Sequence, residues 1–472
     1  MKLFKLISAL LTVSVVAFYA GCTDTAPSEP AAGLGSVTIT SYVAIGNSLP
    51  AGYQSNAWYE SSQIYSYPNL LATQLRVSGA NVTFVQPLWS DPGTPIEGTN
   101  IPSQYFVLSL VGPKIGPDFT KTAGGPKNLA YAAPYNNLAI PGAFIYDFLN
   151  AKDSSTCFSA FGGVRNPLFT TTLRGLGTQF QQAKILRPNL VTFELGDNDV
   201  LAYATSGGAS PITPAATFQQ LFFLSMDSLR TALGPNAIIM AANIPEVTSI
   251  PFATTIPSRG LVLTQAQADG LNAATGGVFQ FTAGVNGFLA FTGTGSPANP
   301  TPVKKLTASD YVLLTCPQDS LKSAGWGSLK PIPGIYVLDA AEISASQNAV
   351  AAYNAAVNAI AAQFNVLVVD IHGLLASIDQ QGVEYAGQTL TSDYVVGGVF
   401  SLDGVHPTSK GQGLMANEFI KVLNAKTGTS IPYVDIGSLP GIPVALTKYS
   451  FAGKPVPYIP VDALQAMQLN LW

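Results

Sequence analysis

Charged residues are scarce in this chain. They make up 10% of its 472 residues, against about 25% in an average soluble protein. The net charge is −4 and no basic cluster appears. Binding nucleic acid by counterion release needs a face rich in lysine and arginine, so no nucleic-acid partner is expected. Histidine is rarer still. There are two, His372 and His406, beside three cysteines. Residues so scattered offer no metal-ligand spacing, and neither metal nor cofactor is expected. No internal repeat is present. What the chain does have is apolar substance, at 47% of residues, with 44 glycines and 34 prolines. That is enough for a large buried core.

The N-terminus carries an export pattern. Lys2 and Lys5 precede the uncharged run Leu6–Ala20. The run is too short to span a bilayer comfortably and reads as the core of a signal peptide over residues 1–21. It ends in Tyr19-Ala20-Gly21-Cys22. Small residues before a cysteine resemble a bacterial lipobox, with Tyr19 where that motif usually has Leu. The reading is lipidation of Cys22 and anchoring to an outer membrane or cell surface. The alternative is an ordinary signal peptide cut near Ala20. Residues 22–36, rich in Pro, Ala, Ser and Gly, form a tether. The remaining cysteines, Cys157 and Cys316, either pair in an oxidising compartment or stay as two buried thiols.

From Val37 onward strands and helices alternate. Strands are expected at Val37–Ile45, Val82–Gln86, Leu190–Leu195, Ala237–Asn243 and Val366–Asp370. Helices are expected at Pro68–Arg76, Leu173–Leu186, Thr213–Leu233 and Ser346–Phe364. This alternation implies an α/β fold, a parallel sheet covered by helices on both faces, with its site at the carboxyl ends of the strands. Residues near 87–130 and 250–340, rich in Gly, Pro, Thr and aromatics, read as insertions into a domain covering 37–430. Residues 431–472 are an extension whose role is not readable. Within the second insertion, Gly276–Gly295 is apolar and aromatic. It either lines an acyl groove or forms a hairpin packed on the core.

Four clusters carry candidate chemistry. Gly46-Asn47-Ser48-Leu49 follows the first strand, where a serine on a tight turn can project its hydroxyl into a crevice. Asn137–Ala143 ends in Pro141-Gly142-Ala143, either an ordinary turn or a backbone N–H aimed at a ligand. Gly196-Asp197-Asn198-Asp199 follows the strand LVTFEL, either as a helix cap or as a site. Asp403-Gly404-Val405-His406 holds a histidine with a carboxylate three residues before it. A serine nucleophile needs a general base near neutral pKa. Asp403 can accept from Nδ1–H of His406 and leave Nε2 for Ser48. His372 has no such acidic neighbour and reads as structural.

In this order, the four clusters resemble the GDSL/SGNH hydrolase family over most of residues 37–425. The departure is Asn47, where the family's leading motif has Asp. The resemblance implies a flavodoxin-like three-layer sandwich. It implies a catalytic triad of Ser48, Asp403 and His406, and an oxyanion hole formed by the Ser48 and Gly142 backbone N–H groups and the Asn198 amide. The activity implied is hydrolysis of a small-molecule or lipid ester by a lipase or esterase. Two alternatives stand beside it: a carbohydrate O-acetyl esterase, and a non-catalytic surface lipoprotein that binds glycan or lipid.

Overall fold

The computed structural model describes residues 31–93, 105–109, 114–117, 124–385, 387–442 and 459. Cys22 and the signal-peptide residues lie outside the described residues. The centre is a parallel sheet of four strands: β1 (Tyr42–Gly46), β2 (Leu190–Glu194), β3 (Ile238–Ala242) and β4 (Leu367–Val369), side by side in that order. Their register runs from Tyr42 opposite Leu190 to Gly46 opposite Glu194. Leu190 in turn lies opposite Ile238, and Met240 opposite Leu367. β1 and β2 are buried along their whole length, as apolar runs in a sheet covered on both faces should be.

A fifth strip completes the sheet. The Ala44 N–H donates to the Asn136 carbonyl, while the Leu138 and Ile140 N–H groups donate to the carbonyls of Ala44 and Gly46. Asn136–Ile140 thus runs along the free edge of β1. Counted as the second segment in the chain, it gives the order 2-1-3-4-5 of the flavodoxin-like fold.

Alternate residues of β2 show the two covering layers, because neighbouring strand side chains point to opposite faces. Thr192 bonds the Tyr42 hydroxyl at 2.9 Å on the face of the helix Tyr67–Val77, which packs on the helix Ser409–Thr427 by stacking Tyr67 on Phe419. Phe193 packs edge-on against Phe148 and Phe222, on the face of Ala215–Leu233. That helix in turn packs on Gln179–Leu186 and Ala340–Gln363. The long Ala-rich helix starts earlier than its periodicity predicts, because Asp339 and Glu342 form a reciprocal capping box that satisfies free N–H groups.

Several expected elements differ. The single helix expected over Leu173–Leu186 is two, Pro167–Leu173 and Gln179–Leu186. Arg174 ends the first in a left-handed conformation, and a Thr178–Gln181 capping box opens the second. The first strand begins only at Tyr42, because the Asn189 side chain takes the N–H groups of Thr40 and Ser41 and the carbonyl of Thr38. Val82–Gln86 is not a strand. The Asn136 side chain accepts its Val85 N–H, and Asn136 and Asn137 donate to the Val85 carbonyl. Cys157 and Cys316 do not pair. Both are buried free thiols in different stretches of the core, and burial pushes the Cys316 thiol well up.

In the second insertion, Gly276–Gly295 contributes no residue to the described pocket at Ser48. Phe281 and Leu289 close a small satellite core with Leu263 and Ala268, and Phe288 and Ala290 join the main core. The strands Gly284–Asn286 and Leu289–Phe291 pair outward with Leu261–Leu263 and Val303–Lys305. The start of the C-terminal extension straps the last helix. The Val434 N–H donates to Asn417 and the Ile431 N–H to Asn424. At the other end of the chain, Gly33 pairs with Ser430.

Candidate active site

Ser48 is set by the way β1 ends. A side chain at Gly46 would meet the Glu194 carbonyl at 2.7 Å and Pro50 at 2.3 Å, so only glycine lets the turn close over β2. Asn47 caps the one-turn helix Ser48–Ala51 by accepting from the Leu49 N–H at 3.0 Å. This leaves the Ser48 hydroxyl against the His406 Nε2, at 2.9 Å. The His406 Nδ1 lies 3.0 Å from Asp403 Oδ2.

Asp403 is fully buried and heavily bonded. Its Oδ1 accepts from the Val405 and His406 N–H groups at 2.9 and 2.8 Å, and its Oδ2 from the Asn56 N–H at 2.8 Å. Burial pushes its carboxyl up, but the His406 ring and these donors outweigh burial and hold it below the usual carboxylate range. The pair is therefore arranged to keep Nδ1 protonated and Nε2 facing the serine. Tyr53 packs its ring on His406 with centroids 4.7 Å apart. The second insertion braces the same loop, with the Phe252 N–H donating to the Gly404 carbonyl.

The other two clusters meet around Ala143. The Asn198 amide donates to the Ala143 carbonyl at 2.8 Å. That fixes one amide hydrogen and leaves the second available. Gly142 has φ +80°, and a Cβ there would meet the Asn166 amide nitrogen at 2.8 Å, so the position favours glycine twice over. The backbone N–H groups of Ser48 and Gly142 have no acceptor among the described residues. Gln179 ties the two blocks, donating to the carbonyls of Gly46 and Leu138.

Behind this loop sit two buried carboxyls. Asp199 accepts from the Ile145 N–H and the Thr213 hydroxyl. Asp147 accepts from the N–H groups of Phe144 and Phe158. Burial pushes each up to about 7 against those hydrogen bonds. Asp197 is buried too, held up at about 6 by burial and eased down by its bond from Asn47. Glu194 below it is pushed well above the carboxylate range by burial and then by Asp197.

Ser48, Asn198 and His406 share a pocket of about 40 Å³, walled by Leu49, Leu201, Pro245, Val247, Ile250 and Val405. His372 is not brought there. Its Nδ1 lies 3.0 Å from the Ile244 carbonyl and its N–H donates to Asn243. Among the described residues no cluster of His, Cys, Asp or Glu is gathered to hold a metal. Sequence reasoning missed Tyr53, Asn56, Asp147 and Gln179. Each acts on a residue distant in the chain or through a backbone contact, and no local pattern marks it.

A family model described as GDSL-like Lipase/Acylhydrolase matches residues 42–419. No protein of curated function matches the chain. Among solved structures, a putative GDSL-like lipase from Parabacteroides merdae is 11% identical, with 83% of this chain and 99% of that one covered and a TM-score of 0.34. A family 3 carbohydrate esterase from Clostridium thermocellum is 13% identical, with 83% and 100% covered and a TM-score of 0.31. Phospholipase A1 from Streptomyces albidoflavus is 12% identical, with 82% and 100% covered and a TM-score of 0.31.

Proposed function

The chain belongs to the GDSL-like lipase/acylhydrolase family, and on that premise we propose that it is a serine esterase that works through an acyl-enzyme on Ser48. The observation that carries this reading is the continuous chain from the Ser48 hydroxyl through His406 to Asp403, at 2.9 and 3.0 Å. His406 Nε2 takes the hydroxyl proton as Ser48 Oγ attacks the ester carbonyl. Asp403 steadies the imidazolium that forms. The negative charge developing on the carbonyl oxygen is met by the Ser48 and Gly142 N–H groups and the free hydrogen of the Asn198 amide, donors held in place before reaction. His406 then protonates the departing alkoxide. Water, deprotonated by the same ring, releases the acid and restores the serine.

The pocket favours short acyl groups. Its volume of about 40 Å³ is small and its walls are apolar, which suits a short acyl group better than a fatty acid. This supports an acetyl-type esterase over a long-chain lipase. Export and lipidation at Cys22 belong to the same proposal and rest on the run Lys2–Cys22.

A fluorophosphonate probe tests the nucleophile. It is expected to label the wild type and leave Ser48→Ala unlabelled. An unlabelled wild type would favour the non-catalytic surface lipoprotein instead. A series of p-nitrophenyl esters tests the acyl size, with kcat/KM expected to fall as the acyl chain lengthens. A rate that climbs toward octanoate would refute the short-acyl reading.

A further inference from the structure

We propose that Asn47 and Asp197 are positioning residues whose side-chain hydrogen bond holds the Ser48 turn in register with the helix that carries Asn198, and so acts on the chemical step. This rests on the reading of Ser48 as nucleophile and Asn198 as oxyanion donor. Each partner stands one residue before one of these groups. The β1–β2 ladder ends at the Gly46–Glu194 pair. Beyond it, Asn47 Nδ2 donates to Asp197 Oδ2 at 2.8 Å and joins the two turns.

The direction of the bond is set by the neighbours. Asn47 Oδ1 is taken by the Leu49 N–H at 3.0 Å, so the NH₂ end must face Asp197. Both side chains are buried, with relative exposures of 1% and 4%. A hydrogen bond to a carboxylate in such surroundings is shorter and stronger than a neutral one. The other oxygen of Asp197 has no hydrogen-bond partner among the described residues. Asp197 does not cap its own helix either, since its side chain makes no capping bond. A buried carboxylate left half-satisfied costs stability, and the bond to Asn47 is its one side-chain hydrogen bond among the described residues. The contact is also polarised in one sense only: an amide must face a carboxylate. Two carboxylates at this distance would have to share a proton or move apart. A displacement of about 1 Å at a reacting group can cost on the order of 100-fold in rate.

The test is a swap. Asn47→Asp keeps a good N-cap for the short helix but sets carboxylate against carboxylate. It is expected to lower kcat at least about tenfold with KM changed less than about twofold. The double variant Asn47→Asp/Asp197→Asn reverses the donor and acceptor. It is expected to return kcat to within about threefold of wild type. Thermal melts of all forms accompany the kinetics. Wild-type kcat in Asn47→Asp overturns the proposal. So does a double variant that regains its Tm without regaining kcat, since that is what a purely structural link would do. Ser48→Ala separates this from the underlying reading. If Ser48→Ala is inactive while Asn47→Asp is unaffected, only the strut fails. If Ser48→Ala remains active, the nucleophile assignment fails and the strut with it.

Discussion

Asn198 offers the sharpest test of the oxyanion site, because the structure separates two effects of its removal. Its side chain does not cap the helix it begins. One amide hydrogen goes to the Ala143 carbonyl at 2.8 Å, and the residue lines the pocket beside Ser48 and His406. Asn198→Ala therefore removes a tie to the Gly142 loop and a donor to the developing oxyanion. The tie is a single neutral hydrogen bond with a net contribution of about 1 kcal/mol, a fall in Tm of no more than about 2–4 °C. The donor acts only when charge develops on the carbonyl oxygen. Its loss should cost about 10²–10³ in kcat, or roughly 3–4 kcal/mol, with KM nearly unchanged. Rate should therefore suffer far more than stability. Asn198→Asp is harsher. An ionised carboxylate would face the Ala143 carbonyl and the oxyanion together. A protonated one could satisfy Ala143 but would have no donor left for the oxyanion. Either form should be at least as slow as the alanine variant. Steady-state kinetics on a short-chain p-nitrophenyl ester, well below the melting temperature, give the answer. A folded Asn198→Asp enzyme with near wild-type kcat would refute the oxyanion assignment.

Further outcomes follow from the two histidines, the buried carboxyls and the N-terminal sequence. His406→Ala should abolish turnover nearly as fully as Ser48→Ala, and the double variant should be little worse than either, because the pair acts as a unit. His372→Ala should stay active, and the reverse pattern in ester hydrolysis assays would exchange the two histidines. Asp147 and Asp199 have folded pKa values of about 7, above about 3.9 in an unfolded chain. The folded state therefore binds more protons between those values, and stability should decline as pH rises from about 4 through 7. Melting curves should show a lower Tm at pH 8 than at pH 5.5, and a rising Tm would contradict the burial argument. Cys22→Ser should move the protein from the membrane to the soluble fraction, and a variant that stays membrane-bound would dismiss the lipobox reading.

The fold class was legible in the alternation of strands and helices, and the residues of the candidate site in short local runs. Gly46–Leu49, Gly196–Asp199 and Asp403–His406 are short runs whose chemistry is local. Asp403 could be matched to His406 because both lie on one loop. The strands LVTFE and IIMAA showed as apolar runs because both faces of the sheet are covered. What escaped is held by contacts across the chain. Asn136–Ile140 looks like a turn in sequence and becomes the sheet's edge strip only because β1 lies beside it. Val82–Gln86 has the composition of a strand but meets asparagine side chains and backbone where a ladder partner would be. The break at Arg174 depends on a capping box that competes with an otherwise continuous helical pattern. Tyr53 and Asn56 support the triad from a loop more than 340 residues away from His406 along the chain, so no spacing rule could join them.

The pairing of Gly33 with Ser430 fixes which pole of the molecule the N-terminal segment leaves from. The last helix starts at Ser409, beside His406, and its 19 residues carry the chain roughly 28 Å away before Ser430 takes hold of Gly33. Residues Thr38–Ser41 are likewise clasped by Asn189 at the amino ends of the strands, whereas Ser48 lies at their carboxyl ends. A lipid on Cys22 would thus tether the protein by its back. The pocket, at the carboxyl ends of the strands, then lies away from the pole at which Gly33 is held.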